Sequence, residues 1–214
     1  MPFRVTTLAA ALLGPAVVAA VGLYVDGGVV AFRALEVRFE AGPVVFKECE
    51  PLGTSWWAGG GLAVPLWRYE AEATPYLEAV TAAGYGALRE PVEHCLYRNY
   101  ELSFAVAALR EYAAFGVEVD GWRPYVGFGG GLAVVPWEAY HTEEKIVVDS
   151  RTEVKPVLSL PFGFEYRLAD RLLLAAGVEY LTIMGKVKLT YEIEGVKTML
   201  PDPFIFSARL RWDF

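Results

Sequence analysis

Glutamine is absent from this 214-residue chain, and asparagine occurs once, at Asn99. Depletion of the thermolabile amides points towards a thermophile source. Histidine is nearly as scarce: His94 and His141 are the only two. There is no zinc-ligand spacing and no glycine-rich phosphate loop, so no cofactor is expected. The chain is 55% hydrophobic with a mean hydropathy of +0.32, yet long apolar runs are missing. After residue 20 no uncharged apolar run reaches the ~18 residues of a membrane-spanning helix. Positive charge is in deficit, with 19 Lys and Arg against 26 Asp and Glu, a net charge of -7 and a pI near 5.0. That balance argues against a nucleic-acid partner.

The first twenty residues, MPFRVTTLAAALLGPAVVAA, read as a secretory signal peptide. Arg4 precedes an apolar stretch, and small residues follow with Val18 and Ala20 at a cleavage site. A buried first helix is the alternative, which Gly14 and Pro15 would weaken. The mature chain, 21–214, then starts near Val21. In an exported protein the pair Cys49 and Cys95 suggests one disulfide.

Alternation with period two recurs through the mature chain and argues strands. In "VLSLPFGFEYRL" one face is Leu158, Leu160, Phe162, Phe164, Tyr166 and Leu168. The other is Ser159, Pro161, Gly163, Glu165 and Arg167. "RLLLAAGVEYL" follows after a short turn and completes a hairpin. "TPYLEAVTAAGYG" at 74–86 is echoed by "RPYVGFGGGLAVV" at 123–135, each the second strand of a hairpin. With 21–32, 55–67, 99–115 and 202–214, the total is eight strands. The connections alternate. Those around 68–73, 116–122 and 169–170 are short; 33–54, 87–98, 138–154 and 187–201 are long. The expected fold is all-β: an eight-stranded antiparallel up-and-down transmembrane β-barrel with short periplasmic turns and long extracellular loops. Its expected place is the outer membrane, reached through the periplasm, with membrane lipid as its partner.

The tryptophans fit this reading. Trp67, Trp122 and Trp212 fall at the short-turn end with Tyr166 and Phe214. Trp56, Trp57 and Trp137 fall at the long-loop end with Tyr100 and Tyr140. Aromatic rings favour the two membrane–water interfaces. An aromatic girdle of Trp56, Trp57, Trp67, Trp122, Trp137 and Tyr166 is therefore expected.

The apolar faces would point to lipid, since only a closed barrel or a helix leaves no unpaired backbone in a bilayer. The other faces would point inward. Alternation places Asp26, Glu78, Glu101, Arg123, Glu165, Arg167, Glu179, Arg209 and Arg211 in the lumen, mostly nearer the short turns. An eight-stranded interior is just wide enough for side chains. Charges held there must pair, because an isolated buried ion is very costly. The expectation is an ion-pair network that plugs the lumen, with Asp26 and Arg209 close neighbours. Luminal glycines Gly59, Gly61, Gly127, Gly129 and Gly131 would make room for bulky neighbours. Strand 99–115 breaks the pattern: Arg110 and Glu111 cannot both point inward without a bulge.

"PYVGFGGGLAV", "PFGFEYRLADRLLLAAGVEYL" and the closing "ARLRWDF" resemble strands five, six to seven and eight of the OmpA-superfamily barrel, and its thermophile members above all. The resemblance covers roughly 21–214. It implies that Leu210, Trp212 and Phe214 form the recognition signal for the barrel-assembly machinery. The peptidoglycan-binding domain of larger members has no counterpart in this sequence.

Catalysis is not expected. His94 lies beside Cys95, but neighbours on an extended chain point apart, which weakens a Cys–His nucleophile. His141 opens an acidic loop in which Glu143, Glu144 and Asp149 are weak metal candidates. The functional expectation is a structural, membrane-anchoring barrel with surface-interaction loops; the sequence leaves open whether barrels associate, and a monomer is favoured. The alternatives are a narrow transport barrel for ions or small apolar molecules, and a secreted lipocalin-like ligand-binding barrel. What the loops bind is not legible in the sequence.

Overall fold

The computed structural model describes residues 21–214, apart from 33, 42–43, 52, 70, 93–99, 186–187, 190–195 and 200–201. The proposed signal peptide and Cys95 therefore lie outside the described residues, and the Cys49–Cys95 bridge with them. His94 does as well.

Eight strands close into a barrel: β1 (Gly22–Phe32), β4 (Thr54–Arg68), β5 (Thr74–Val92), β6 (Tyr100–Glu118), β7 (Trp122–His141), β8 (Ile146–Ala169), β9 (Leu172–Ile183) and β12 (Pro203–Asp213). Their order around the ring is β1-β12-β9-β8-β7-β6-β5-β4, and β4 returns to β1. All pairings are antiparallel, and neighbours in sequence are neighbours in space except at the closing seam. There β1 runs against β12 with Gly22 opposite Asp213 and Phe32 opposite Pro203.

Local chemistry sets the short turns. Between β6 and β7, Asp120 and Gly121 both have positive φ, 50° and 81°. Val119 and Trp122 exchange two backbone hydrogen bonds of 2.9 Å across them. An Asp-Gly pair in this conformation is the turn that matches the twist of two antiparallel strands.

The long-loop end departs from the sequence expectation. Segment 138–154 is no loop: β7 and β8 continue their ladder past it and join through residues 142–145. β5 likewise runs on to Val92. The expected loops 33–54 and 187–201 carry strands of their own: β2 (Ala34–Ala41), β3 (Val44–Pro51), β10 (Lys188–Leu189) and β11 (Val196–Met199). These join in a second sheet of order β10-β11-β2-β3. The two parent loops leave the barrel from the paired strands β1 and β12, so the seam brings them side by side. β2 does alternate, with Leu35, Val37 and Phe39 set between Glu36, Arg38 and Glu40, a signal that the sequence reading passed over; β3, β10 and β11 are short or irregular in pattern.

The β6 problem has a simple resolution. β6 pairs with β5 from Tyr100 to Glu118 without a shift in register. No bulge forms; Arg110 points into the barrel and Glu111 points out.

The outward face is apolar, with Val25, Leu62, Leu109, Phe128, Leu158, Phe162, Phe206 and Leu210 all exposed. Ionisable groups are buried inside. A soluble barrel inverts this arrangement, so the lipocalin-like alternative is set aside. A closed ring with an apolar belt is a membrane-spanning structure, because every ladder hydrogen bond is made within the ring.

Candidate functional site: the barrel lumen

The interior is built in layers. Towards the short turns lies a quartet of Glu78, Arg123, Glu165 and Arg211, from β5, β7, β8 and β12. Glu78 takes both Arg211 nitrogens, at 2.7 and 2.9 Å, and Arg123 at 2.8 Å. Arg123 also reaches Glu165 at 3.1 Å, and Arg211 lies 3.5 Å from the same oxygen. Bidentate pairing of this kind suits the planar guanidinium. Below the quartet, at the rim, Glu118 holds Arg167 at 2.9 Å and Arg68 at 3.2 Å, and Asp213 accepts from Arg211 at 2.6 Å.

Above the quartet, Asp26 on β1 faces Arg209 on β12 across the seam. Their charged groups approach to 3.9 Å. Arg209 also donates to the Tyr112 hydroxyl at 3.4 Å. A third group joins Arg110 to Glu179, which accepts a 2.7 Å hydrogen bond from Ser159.

Three of these guanidiniums lie over aromatic rings: Arg209 over Tyr24 at 4.0 Å, Arg123 over Tyr76 at 4.3 Å and Arg110 over Trp57 at 5.3 Å. Stacking of a weakly hydrated planar cation on a ring offsets part of the cost of burying it. The rings need space, and glycines provide it. Tyr24 covers Gly61, Trp57 covers Gly84, Tyr112 covers Gly127 and Gly129, and Tyr125 covers Gly163 and Gly177.

The upper lumen is apolar. Val30, Phe32, Trp57, Leu88, Phe104, Val106, Ala108, Ala133, Val135, Trp137, Val157, Leu181 and Ile205 form one buried cluster. All eight barrel strands contribute to it. Phe32 and Phe104 meet edge to face with centroids 4.7 Å apart. Sequence reasoning assigned the inward faces to polar and small residues and missed this layer. Period-two alternation separates the two faces but goes blind where both are apolar.

Eight of the nine residues expected in the lumen network lie inside. Glu101 does not: it sits on the outer face near the long-loop rim and pairs with Arg89. Strand parity explains this, since the inward positions of β6 are the even ones (Phe104, Arg110, Tyr112). Arg110 is the member that the reading left unplaced. The girdle needs a second correction. Trp56, Trp67, Trp122 and Trp212 face outward with Tyr166, but Trp57 and Trp137 are each 2% exposed and point inward. Trp56–Tyr85 and Trp122–Tyr166 ring pairs mark the two outer bands, with centroids 5.4 and 4.8 Å apart.

Leu210, Trp212 and Phe214 line up on the outer face at the short-turn end. Glu143 and Glu144 are exposed in the 142–145 turn, where the Glu144 amide donates to His141 Nδ1 at 3.1 Å. Asp149 lies on β8 beyond this turn. Among the described residues no three His, Cys, Asp or Glu side chains gather as a metal site.

Little space remains in the ionic part of the lumen. Between Tyr24, Tyr76, Tyr112, Tyr125, Arg209 and Arg211 the free volume is about 10 Å³. That is roughly the room for one water molecule. A vestibule of about 70 Å³ opens below it, between Arg68, Glu118, Arg167 and Asp213.

No protein-family model matches the chain, and no curated protein matches it. Several solved structures are similar in outline. Neisserial surface protein A is 12% identical with a TM-score of 0.47, over 90% of this chain and 97% of that one. The outer membrane protein OprG from Pseudomonas aeruginosa is 14% identical with a TM-score of 0.49, over 91% and 97%. The outer membrane protease OmpT from Escherichia coli is 10% identical with a TM-score of 0.45, over 91% and 97%. These likenesses carry no argument about activity. The assignment rests on the chain's own geometry: a closed eight-stranded membrane β-barrel with charged and apolar layers filling its interior.

Proposed function

We propose that this protein is a structural outer-membrane barrel whose lumen is closed and whose long-loop sheet is its surface for interaction. The filled interior carries this reading. An ionic layer and an apolar layer lie in series, and the free space among the ionic groups and their tyrosines fits about one water. A transport role would require both layers to move together. No catalytic residue is assigned, and the protein acts as an anchor in the lipid. The outward row Leu210, Trp212 and Phe214 serves as the signal for the assembly machinery during insertion.

The test is single-channel conductance of the refolded protein in a planar bilayer. The wild type is expected to be silent. Arg209→Ala alone is also expected to be silent, because Trp137, Phe104 and Leu181 still close the upper lumen. Arg209→Ala combined with Trp137→Ala and Phe104→Ala is expected to open steps. Steady, selective conductance of the wild type would overturn the proposal in favour of a channel.

A further inference from the structure

Glu111 is the one acidic or basic side chain, among the described residues, on the outward face of the barrel strands between the two aromatic bands. It is exposed, on the wall of β6. It lies four residues along the strand from Ala107, the partner of Tyr85 in the long-loop band. Eight residues separate it from Val119, which pairs with Trp122 in the short-turn band. An ionisable group within the bilayer is costly, and it marks a site that something else satisfies.

Its surroundings differ from the rest of the belt. Glu111 lies directly opposite Thr81 on β5 and Gly130 on β7. Ala79 faces Ala113 one step away, and Ala83 faces Gly60 on the other side. All face outward, and Thr81, Ala83 and Ala113 are exposed. The opposite wall carries Phe162, Phe164 and Phe206 around a shallow, open apolar groove. The β5–β6 wall instead sets one carboxylate and one hydroxyl among Ala79, Ala83 and Ala113, with the larger Leu109 and Phe115 to either side along β6.

We propose that this wall is the interface of a two-fold dimer of the chain with a second copy of itself. A two-fold axis along the membrane normal keeps every residue at its own depth. Placed between β5 and β6, the axis sets Thr81 of each copy against Glu111 of the other. The Thr81 hydroxyl donates and the Glu111 carboxylate accepts, twice. Among the described residues no basic side chain on the outward belt competes for this role. The small residues let the two walls approach closely, as small residues do in membrane interfaces. The interface rests on the bilayer-spanning reading of the barrel but not on the closed lumen.

The experiment counts copies of the full refolded protein in lipid vesicles at high dilution, by single-molecule photobleaching with one dye per chain. The wild type is expected to bleach in two steps. Glu111→Leu removes the acceptor and adds a residue that lipid favours, so it is expected to fold as well as the wild type. Its association is expected to weaken roughly tenfold or more. Ala113→Trp, which blocks approach while keeping Glu111, is expected to bleach in one step even if Glu111→Leu folds poorly. Phe162→Ala on the opposite wall is expected to leave two steps. A single-step wild type would overturn the proposal, as would two-step bleaching that survives both wall variants. Conductance is read separately, so failure here leaves the closed-lumen reading standing.

Discussion

Asp26 and Arg209 oppose each other across the seam where the first and last barrel strands meet, with their charged groups 3.9 Å apart. Neither residue has a neighbour in sequence that could satisfy it. Closing the ring is what brings them together, so the pair reports that the barrel has closed in the correct register.

Arg209→Ala leaves Asp26 buried and uncompensated. The expected loss is about 3–5 kcal/mol, as for other buried pairs deprived of one partner. The double variant Asp26→Asn with Arg209→Met removes both charges and is expected to recover most of that loss. Urea unfolding of the refolded protein in vesicles checks both. A double variant no more stable than the single one would show that the pair itself does not set the stability of the seam.

The six tryptophans divide four to two, which brominated lipids can read directly. Trp56, Trp67, Trp122 and Trp212 face the lipid, whereas Trp57 and Trp137 face the lumen. A variant keeping only Trp57 and Trp137, with phenylalanine at the other four positions, is expected to lose most of the quenching. Strong quenching of that variant would place those two rings in the outer girdle after all.

Glycine positions differ sharply in what they tolerate. A Cβ at Gly84 would fall on the Trp57 ring, and Gly84→Ala is expected to cost about 1–3 kcal/mol through overpacking. At Gly27, on the outer face, the nearest atom to a Cβ is the Trp57 carbonyl oxygen at 3.9 Å. Gly27→Ala is expected to stay within about 0.5 kcal/mol of the wild type. Unfolding midpoints of the two variants, measured side by side, check the contrast.

The sequence by itself determined the eight barrel strands, the short turns between them and, for most positions, which face meets lipid. Bilayer-facing residues have a single requirement, apolarity, and it repeats with the two-residue period of the strand. That is why "VLSLPFGFEYRL" and "FSARLRWDF" could be read residue by residue, and why Asp26 could be matched to Arg209. Only the tertiary structure decided what fills the inside. Trp57, Trp137, Phe104 and Leu181 are as apolar as the residues on the outer face, so hydropathy alone cannot tell a girdle from a plug. The pairing of Glu179 with Arg110, and of Glu101 with Arg89, depends on strand parity carried across several ladders. The loop sheet depends on two segments some 150 residues apart meeting at the seam. These are non-local facts, set when the ring closes, and they decide that the barrel is filled and that Glu111 is left facing the membrane.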